Sequence, residues 1–441
     1  MAASRKKQPE LLTHLLDQWP DKLSGLCAFE AALSGGLDSV VLLTLLAEAR
    51  RHLPWLHLSA VHVHHGLSAH ADAWEAHCRT LCQSLEVPMR VERVHVARHG
   101  GLGIEAAARM ARYAAFDKAS ANVTVLAHHR DDQCETQLLQ LLRGGGAHAL
   151  AGMPALRESG SRWYWRPLLD VGRADLERFA LERGLSWVED DSNVDTRFRR
   201  NFLRHEILPR LADYLPDYPA HMARSAWQLS EAAAVLDEVA EADLAACRCD
   251  DGLSAPALLA LSSARRGFVL VRWLKERTML QPAPDALQEF LRQLASANAT
   301  ATPLLKLGDH CLLRYRDRLM LCRLAGPGPV SAMQWDGEGS PRQIAPGWGG
   351  ILCWRMGKGL PKTLLAAGFE LRPRQGGERL RQSSGLKEVR KLFQEAGVPA
   401  PLRAGWPLLF GPDDRLLAVP GIAVACDVME EGGCWPEWLP L

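Results

Sequence analysis

Between residues 26 and 144 the apolar positions switch repeatedly between two periods. Short apolar or alternating runs at 26–33, 57–65, 89–96 and 123–129 predict strands. The stretches between them, 38–50, 71–85, 104–120 and 134–144, repeat apolar residues every three or four positions and predict helices. Strands alternating with helices imply right-handed crossovers and an α/β fold built on a doubly wound parallel sheet. Ligands of such sheets bind beyond the carboxyl ends of the strands. That rule puts three loops on one rim: SGGLDS at Ser34–Ser39, HHGLS at His64–Ser68 and HHRDDQCET at His128–Thr136.

The pattern changes near Pro209–Pro219. Alanine-rich helical spacing follows, then a polar-centred alternation at 310–324 that reads as a hairpin. The expected organisation is an α/β domain over 1–214, a mostly helical middle domain over 215–327, a Gly/Pro-rich linker over 328–359 and a small mixed α/β domain over 360–441.

Composition narrows the class. With 441 residues, 47% hydrophobic and 23% charged, the chain fits a globular protein of several domains. A formal net charge of +1 means that any nucleic-acid surface is local. The eleven cysteines include no CxxC pair, and no signal-peptide pattern opens the chain, so reduced thiols in the cytoplasm are expected. Cys78 and Cys82, one helical turn apart, read as core. No apolar run approaches the ~18 residues of a membrane span.

The loop at Ser34–Ser39 interrupts an apolar strand with two glycines and three small polar residues. A strand, a small-residue loop and a helix turn backbone N–H groups toward an anion, and the helix N-terminus adds unpaired donors. The plain alternative is a strand-to-helix turn capped by Asp38 or Ser39. A Walker loop would end in Lys. Here that Lys is missing and Asp38 stands inside the loop, which suits Mg2+ or an ammonium group beside a departing pyrophosphate.

SGGxDS resembles the signature of the PP-loop, or N-type ATP pyrophosphatase, superfamily, whose members adenylate a carbonyl oxygen before a nucleophile displaces AMP. AVHVHHGLS at 60–68, IEAAARMARYAAF at 104–116, LAHHRDDQCETQLLQLLRGGG at 126–146, RPLL at 166–169 and EDDSNVDTRFRRNFLR at 189–204 are similar to the tRNA(Ile)-lysidine synthase family within it. LRPRQGGERL and the basic segment after it resemble that family's C-terminal domain. The resemblance implies ATP and Mg2+ as cofactors, with L-lysine and a CAU-anticodon tRNA(Ile) as partners. The wobble cytidine is adenylylated on O2, and the lysine ε-amine then attacks C2.

Carried onto this sequence, the resemblance puts Ser34, Gly35, Gly36, Leu37, Asp38 and Ser39 around ATP. Asp38 also becomes the metal candidate, and Arg109, His128, Asp38 and Arg200 the catalytic candidates. Asp132 and Glu135, three apart on one helix face, become the lysine-binding pair; which acid takes metal and which takes lysine stays open. Arg197, Arg199 and Arg204, and in the last domain Arg372, Arg374, Lys387, Arg390 and Lys391, are expected on RNA. The sequence leaves the oligomeric state open, a homodimer included. The competing readings are a PP-loop tRNA thiolase and a non-catalytic RNA-binding protein with a vestigial nucleotide site.

Overall fold

The computed structural model describes residues 10–440 apart from 67, 69, 96–103, 251, 279, 297–301, 324–332, 336–341, 344–347 and 349. The chain divides into two compact units, Met1–Val235 and Leu236–Leu441.

The first unit alternates as the periodicity predicts: α1 (Leu11–Asp17), β1 (Ala28–Ala32), α2 (Leu37–Ala49), β2 (His57–His64), α3 (Ala71–Ser84), β3 (Met89–Arg93), α4 (Ile104–Phe116), β4 (Val123–Val125), α5 (Arg130–Leu142), α6 (Ala147–Leu150), β5 (Leu156–Ser159), β6 (Arg162–Trp165) and α7 (Arg173–Glu182). The strands form one sheet in the order β3-β2-β1-β4-β6-β5. All neighbours are parallel except the edge pair β5–β6. That hairpin is absent from the sequence reading because two four-residue strands around Gly160 are too short to display a period.

Helix α2 is buried nearly all round, from Leu37 through Val40–Leu43 to Ala49, against the centre of the sheet. Its SVVLLTLL sequence therefore has no polar face to show. Because β1 lies between β2 and β4, the strand order reverses there and leaves a crevice beyond the carboxyl ends of β1 and β4. The glycine loop follows β1, and His128 and His129 follow β4.

In the second unit, helices Ala255–Ala260, Ser263–Thr278 and Pro284–Ser296 accompany a five-stranded antiparallel sheet that contains the expected hairpin, His310–Tyr315 with Arg318–Arg323. Beside the expected hairpin the middle region carries three further short strands, Arg248–Cys249, Gly252–Ser254 and Leu304–Leu307. Further on, a second five-stranded sheet runs from Met333–Trp335 to Ala423–Val424, and a long pair joins Gly350–Gly359 to Glu430–Pro440.

That pair corrects the linker expected over 328–359. Its last ten residues are a strand, while much of 328–349 lies outside the described residues. The glycines that read as linker mark close packing instead. The Trp438 ring stands where a Cβ of Gly350 would be, and the Cys434 carbonyl where one of Gly359 would be. Among the described residues no helix is long and apolar enough to cross a membrane.

Candidate active site

The loop after β1 is shaped by one side chain. The Ser39 hydroxyl accepts from the Ser34 and Gly35 amides, both at 3.2 Å, and donates to the Gly36 carbonyl at 2.9 Å. Ser34 Oγ in turn accepts from the Gly36 amide at 3.3 Å. Ser39, expected around ATP, is buried, with its hydroxyl turned into the loop.

Only one of the two glycines is demanded by the protein itself. Gly35 has φ +91, and a Cβ there would stand 3.0 Å from Val188 Cγ2 and 3.1 Å from Cys78 Sγ. Gly36, the N-cap of α2, is extended (φ −75), and its Cβ would meet nothing closer than 3.6 Å. The space left at Gly36 opens beside the first-turn amides of Leu37, Asp38 and Ser39, which have no preceding helical carbonyl to bind.

Across the crevice, α5 opens at His129, whose amide is capped by Asp132 Oδ2 at 3.2 Å. The His129 ring is 1% exposed and ringed by acids: Asp131 at 3.4 Å, Asp132 at 3.5 Å and Asp38 at 3.6 Å. Burial alone would lower its pKa, but Asp131, Asp38 and Asp132 outweigh it and push it up to about 10, so His129 is an imidazolium. Its neighbour is the reverse. Burial carries His128 down to about 4 against the pull of Asp132, with Arg166, Arg200 and Arg109 adding to the fall, and its Nδ1 has no partner.

The sequence reading singled out His128 and passed over His129. The signal for His129 was its position three before Asp132, at a helix start. Asp131 accepts from the Arg173 amide at 2.9 Å, at the start of α7.

Asp132 and Glu135 do share a face. One guanidinium reaches both: Arg204 Nε to Glu135 Oε1 at 2.6 Å, and Nη2 to Glu135 Oε2 at 3.1 Å and Asp132 Oδ1 at 3.2 Å. Arg200 Nε lies 2.9 Å from Glu135 Oε2, and its Nη2 donates to Thr136 Oγ1 at 2.7 Å. Glu135 is 1% exposed, and burial lifts its pKa above the ordinary range although Arg204 opposes the shift. Arg204, expected on the RNA surface, therefore faces inward in this structure. The surface of the same segment carries Arg197, 90% exposed and paired with Asp195, together with Phe198, Arg199 and Phe202, all exposed. Arg109 stacks on Tyr113, 5.1 Å from the ring centre.

Asp38 suits a hard cation. It is 32% exposed, and its Oδ1 is buried with no hydrogen-bond partner.

In the second unit, Arg372 is bound by Glu370 and Asp414, Arg374 sits 3.7 Å from Glu378, and Lys387 bonds Glu395 at 2.6 Å. All three, expected on RNA, face carboxylates of their own unit in this structure. Arg390 and Lys391 are exposed. Arg379, Arg381 and Arg415, the last paired with Asp427, line a groove of about 210 Å³.

Three family models match the chain: the PP-loop domain over residues 10–211, the TilS substrate binding domain over 253–320 and the TilS substrate C-terminal domain over 369–438. A tRNA(Ile)-lysidine synthase from Chromobacterium violaceum is 54% identical over 428 residues, 97% of this chain and 98% of its own. The chain belongs to the tRNA(Ile)-lysidine synthase family.

The tRNA(Ile)-lysidine synthase of Pseudomonas aeruginosa is 42% identical, covering 93% of this chain and 92% of its own. Among solved structures, a tRNA thiolase from Methanococcus maripaludis is similar to 50% of this chain and 78% of its own, at 17% identity and a TM-score of 0.41. Family membership sets the thiolase reading aside. The cysteines agree: Cys78 and Cys82 are buried, and burial pushes their thiols up to about 12 and about 11.

Proposed function

We propose that this chain forms lysidine on tRNA(Ile) by ATP-dependent ligation in the crevice beyond β1 and β4. Cytidine O2 of the CAU anticodon attacks the α-phosphorus of ATP, the bond to the β-phosphate breaks, and pyrophosphate leaves. The ε-amine of free lysine then attacks C2, AMP departs, and the amine gives up a proton. The single observation that carries this reading is the acid pair Asp132/Glu135, already gripping a guanidinium a short reach from the loop. Such a pair selects a cation rich in N–H donors, which a lysine ammonium is and a sulfur donor is not.

The residues divide the work. Gly36 and the first-turn amides of α2 take the pyrophosphate. Asp38 would hold Mg2+, which when bound screens charge on the phosphates. His129, kept protonated among three aspartates, fixes Asp38 and Asp132 in place. His128, kept neutral, offers a ring N–H to a phosphate oxygen. Arg109 and Arg200 face charge that builds on the reacting phosphate. Asp132 and Glu135 orient lysine. Catalysis is assigned to residues 1–214, with Arg197 and Arg199 meeting the anticodon loop and the later domains binding the rest of the tRNA.

Incubation with purified tRNA, ATP and labelled lysine tests this. Label on one cytidine, with one AMP and one pyrophosphate per lysidine, is expected, and Asp38→Asn should slow it at least ~100-fold. Sulfur incorporation, or label that appears without AMP, would refute it.

A further inference from the structure

The acid pair assigned to lysine is filled by the protein itself. Glu135 Oε1 accepts from Arg204 Nε at 2.6 Å, while Oε2 accepts from Arg204 Nη2 at 3.1 Å and faces Arg200 Nε at 2.9 Å. Asp132 Oδ1 accepts from Arg204 Nη2 at 3.2 Å, and its Oδ2 caps the His129 amide. Every carboxylate oxygen of the pair is therefore engaged. Glu135 is buried, so a lysine ammonium added here would be a third cation on two acids, out of water. The cations must exchange rather than accumulate.

The chain around Arg204 shows how it can leave. Arg204 sits in a π-helical turn, Leu203–Ile207, between the short helices Arg199–Phe202 and Leu208–Tyr214, and the Leu208 amide bonds the Leu203 carbonyl five residues back. Pro209 has no N–H with which to close the next turn on the His205 carbonyl. A shift of register by one residue there re-aims Arg204 while both helices persist. The exposed Arg197, Phe198, Arg199 and Phe202 precede it on the same segment.

We propose that Arg204 is an internal stand-in for lysine: it holds Asp132 and Glu135 until a phosphate of the bound tRNA draws it away, so that lysine enters after the RNA. This rests on the lysidine-forming reading and adds an order to it. A phosphodiester matches the guanidinium fork as a carboxylate does. RNA lying on residues 197–202 brings such groups to the turn. Arg200, given above to the reacting phosphate, leaves Glu135 in the same exchange. The order has a chemical use, since cytidine O2 then reaches the α-phosphorus before any amine does.

Lysine titrated calorimetrically into the full chain without ATP, in the presence and absence of CAU-anticodon tRNA(Ile), tests the exchange. Lysine should bind at least ~10-fold more tightly with the tRNA present, and the tRNA should tighten by the same factor with lysine present. Arg204→Gln should bind lysine without tRNA about as tightly as the wild-type complex does, and the salt slope of its tRNA binding should be shallower by about one. A wild-type lysine affinity that ignores tRNA overturns the stand-in, as does weaker lysine binding by a folded Arg204→Gln. Should that variant melt early because Glu135 loses its counter-charge, the two wild-type titrations decide alone. Labelled-lysine incorporation judges the functional reading separately. Lysidine made by a chain whose lysine affinity ignores tRNA sinks the stand-in only, whereas tRNA-dependent lysine binding without lysidine sinks the reading only.

Discussion

Arg204 grips Glu135 through both carboxylate oxygens, at 2.6 and 3.1 Å, in a position where Glu135 is almost wholly buried. Glu135→Gln keeps the shape and removes the charge. Because a charged hydrogen bond contributes about 1.5–3 kcal/mol, KM for lysine should rise at least ~10-fold, and the melting temperature should fall as Arg204 and Arg200 lose their counter-charge. Lysine titrations and thermal melts of the same preparation check both. An unchanged KM for lysine would remove Glu135 from the lysine site.

His129 makes stability depend on pH in a defined window. Its folded pKa of about 10 lies above the unfolded value near 6.5, so its contribution is complete below about 6.5, falls as pH rises, and is gone above about 10. Urea unfolding of wild type and His129→Asn should show a stability gap that narrows across that range. Asp131 acts in the opposite sense. Its pKa is pushed down to about 2, because His129 and the Arg173 amide outweigh its burial, so its contribution is complete above ~3.8 and is lost as pH falls toward 2. A gap between wild type and His129→Asn that stays constant from neutral pH to 10 would mean a neutral ring.

The two glycines of the loop should separate under alanine substitution. Gly35→Ala forces a positive φ on a residue with a Cβ and presses it against Val188 and Cys78, so the melting temperature should drop and ATP binding should weaken together. Gly36→Ala meets only ordinary van der Waals contacts, with Ser34 Oγ at 3.6 Å and the Val188 carbonyl oxygen at 3.8 Å, so folding should be kept while KM for ATP rises. Equal melting losses in the two variants would show that Gly36 is structural as well.

The basic residues of the last domain should also divide. Replacing Arg390 and Lys391 by Glu should weaken tRNA binding and flatten its salt dependence, with little effect on melting. Arg372→Ala should do the reverse, since that guanidinium is committed to Glu370 and Asp414. Filter binding at several salt concentrations and a melt of each variant separate the two classes.

What could be read from the chain beforehand follows from how local the signal was. The strands and helices around the crevice were legible because each lies in a patterned run of five or more residues, three-residue β4 included as the start of the run at 123–129, and SGGLDS lies within six consecutive positions. β5 and β6 were too short to carry a period, and the glycines at 350 and 359 gave the same letters as a linker while meeting Trp438 and Cys434 across a ladder. The direction of Arg204 was illegible for a different reason. A run of arginines looks the same whether its members face water or a buried carboxylate, and the partner lies 69 positions away. The charge on His129 depends on Asp38 of α2 meeting Asp131 and Asp132 of α5 in space, and the neutrality of His128 on its burial beside arginines, which no reading of adjacent residues supplies.

Ser39 carries a last consequence. By occupying the Ser34 and Gly35 amides it keeps the turn in one shape before any nucleotide arrives, so capture of ATP spends little on ordering the backbone. Nucleotide should then load onto the free enzyme about as well as onto the RNA complex, and the two substrates should bind in either order.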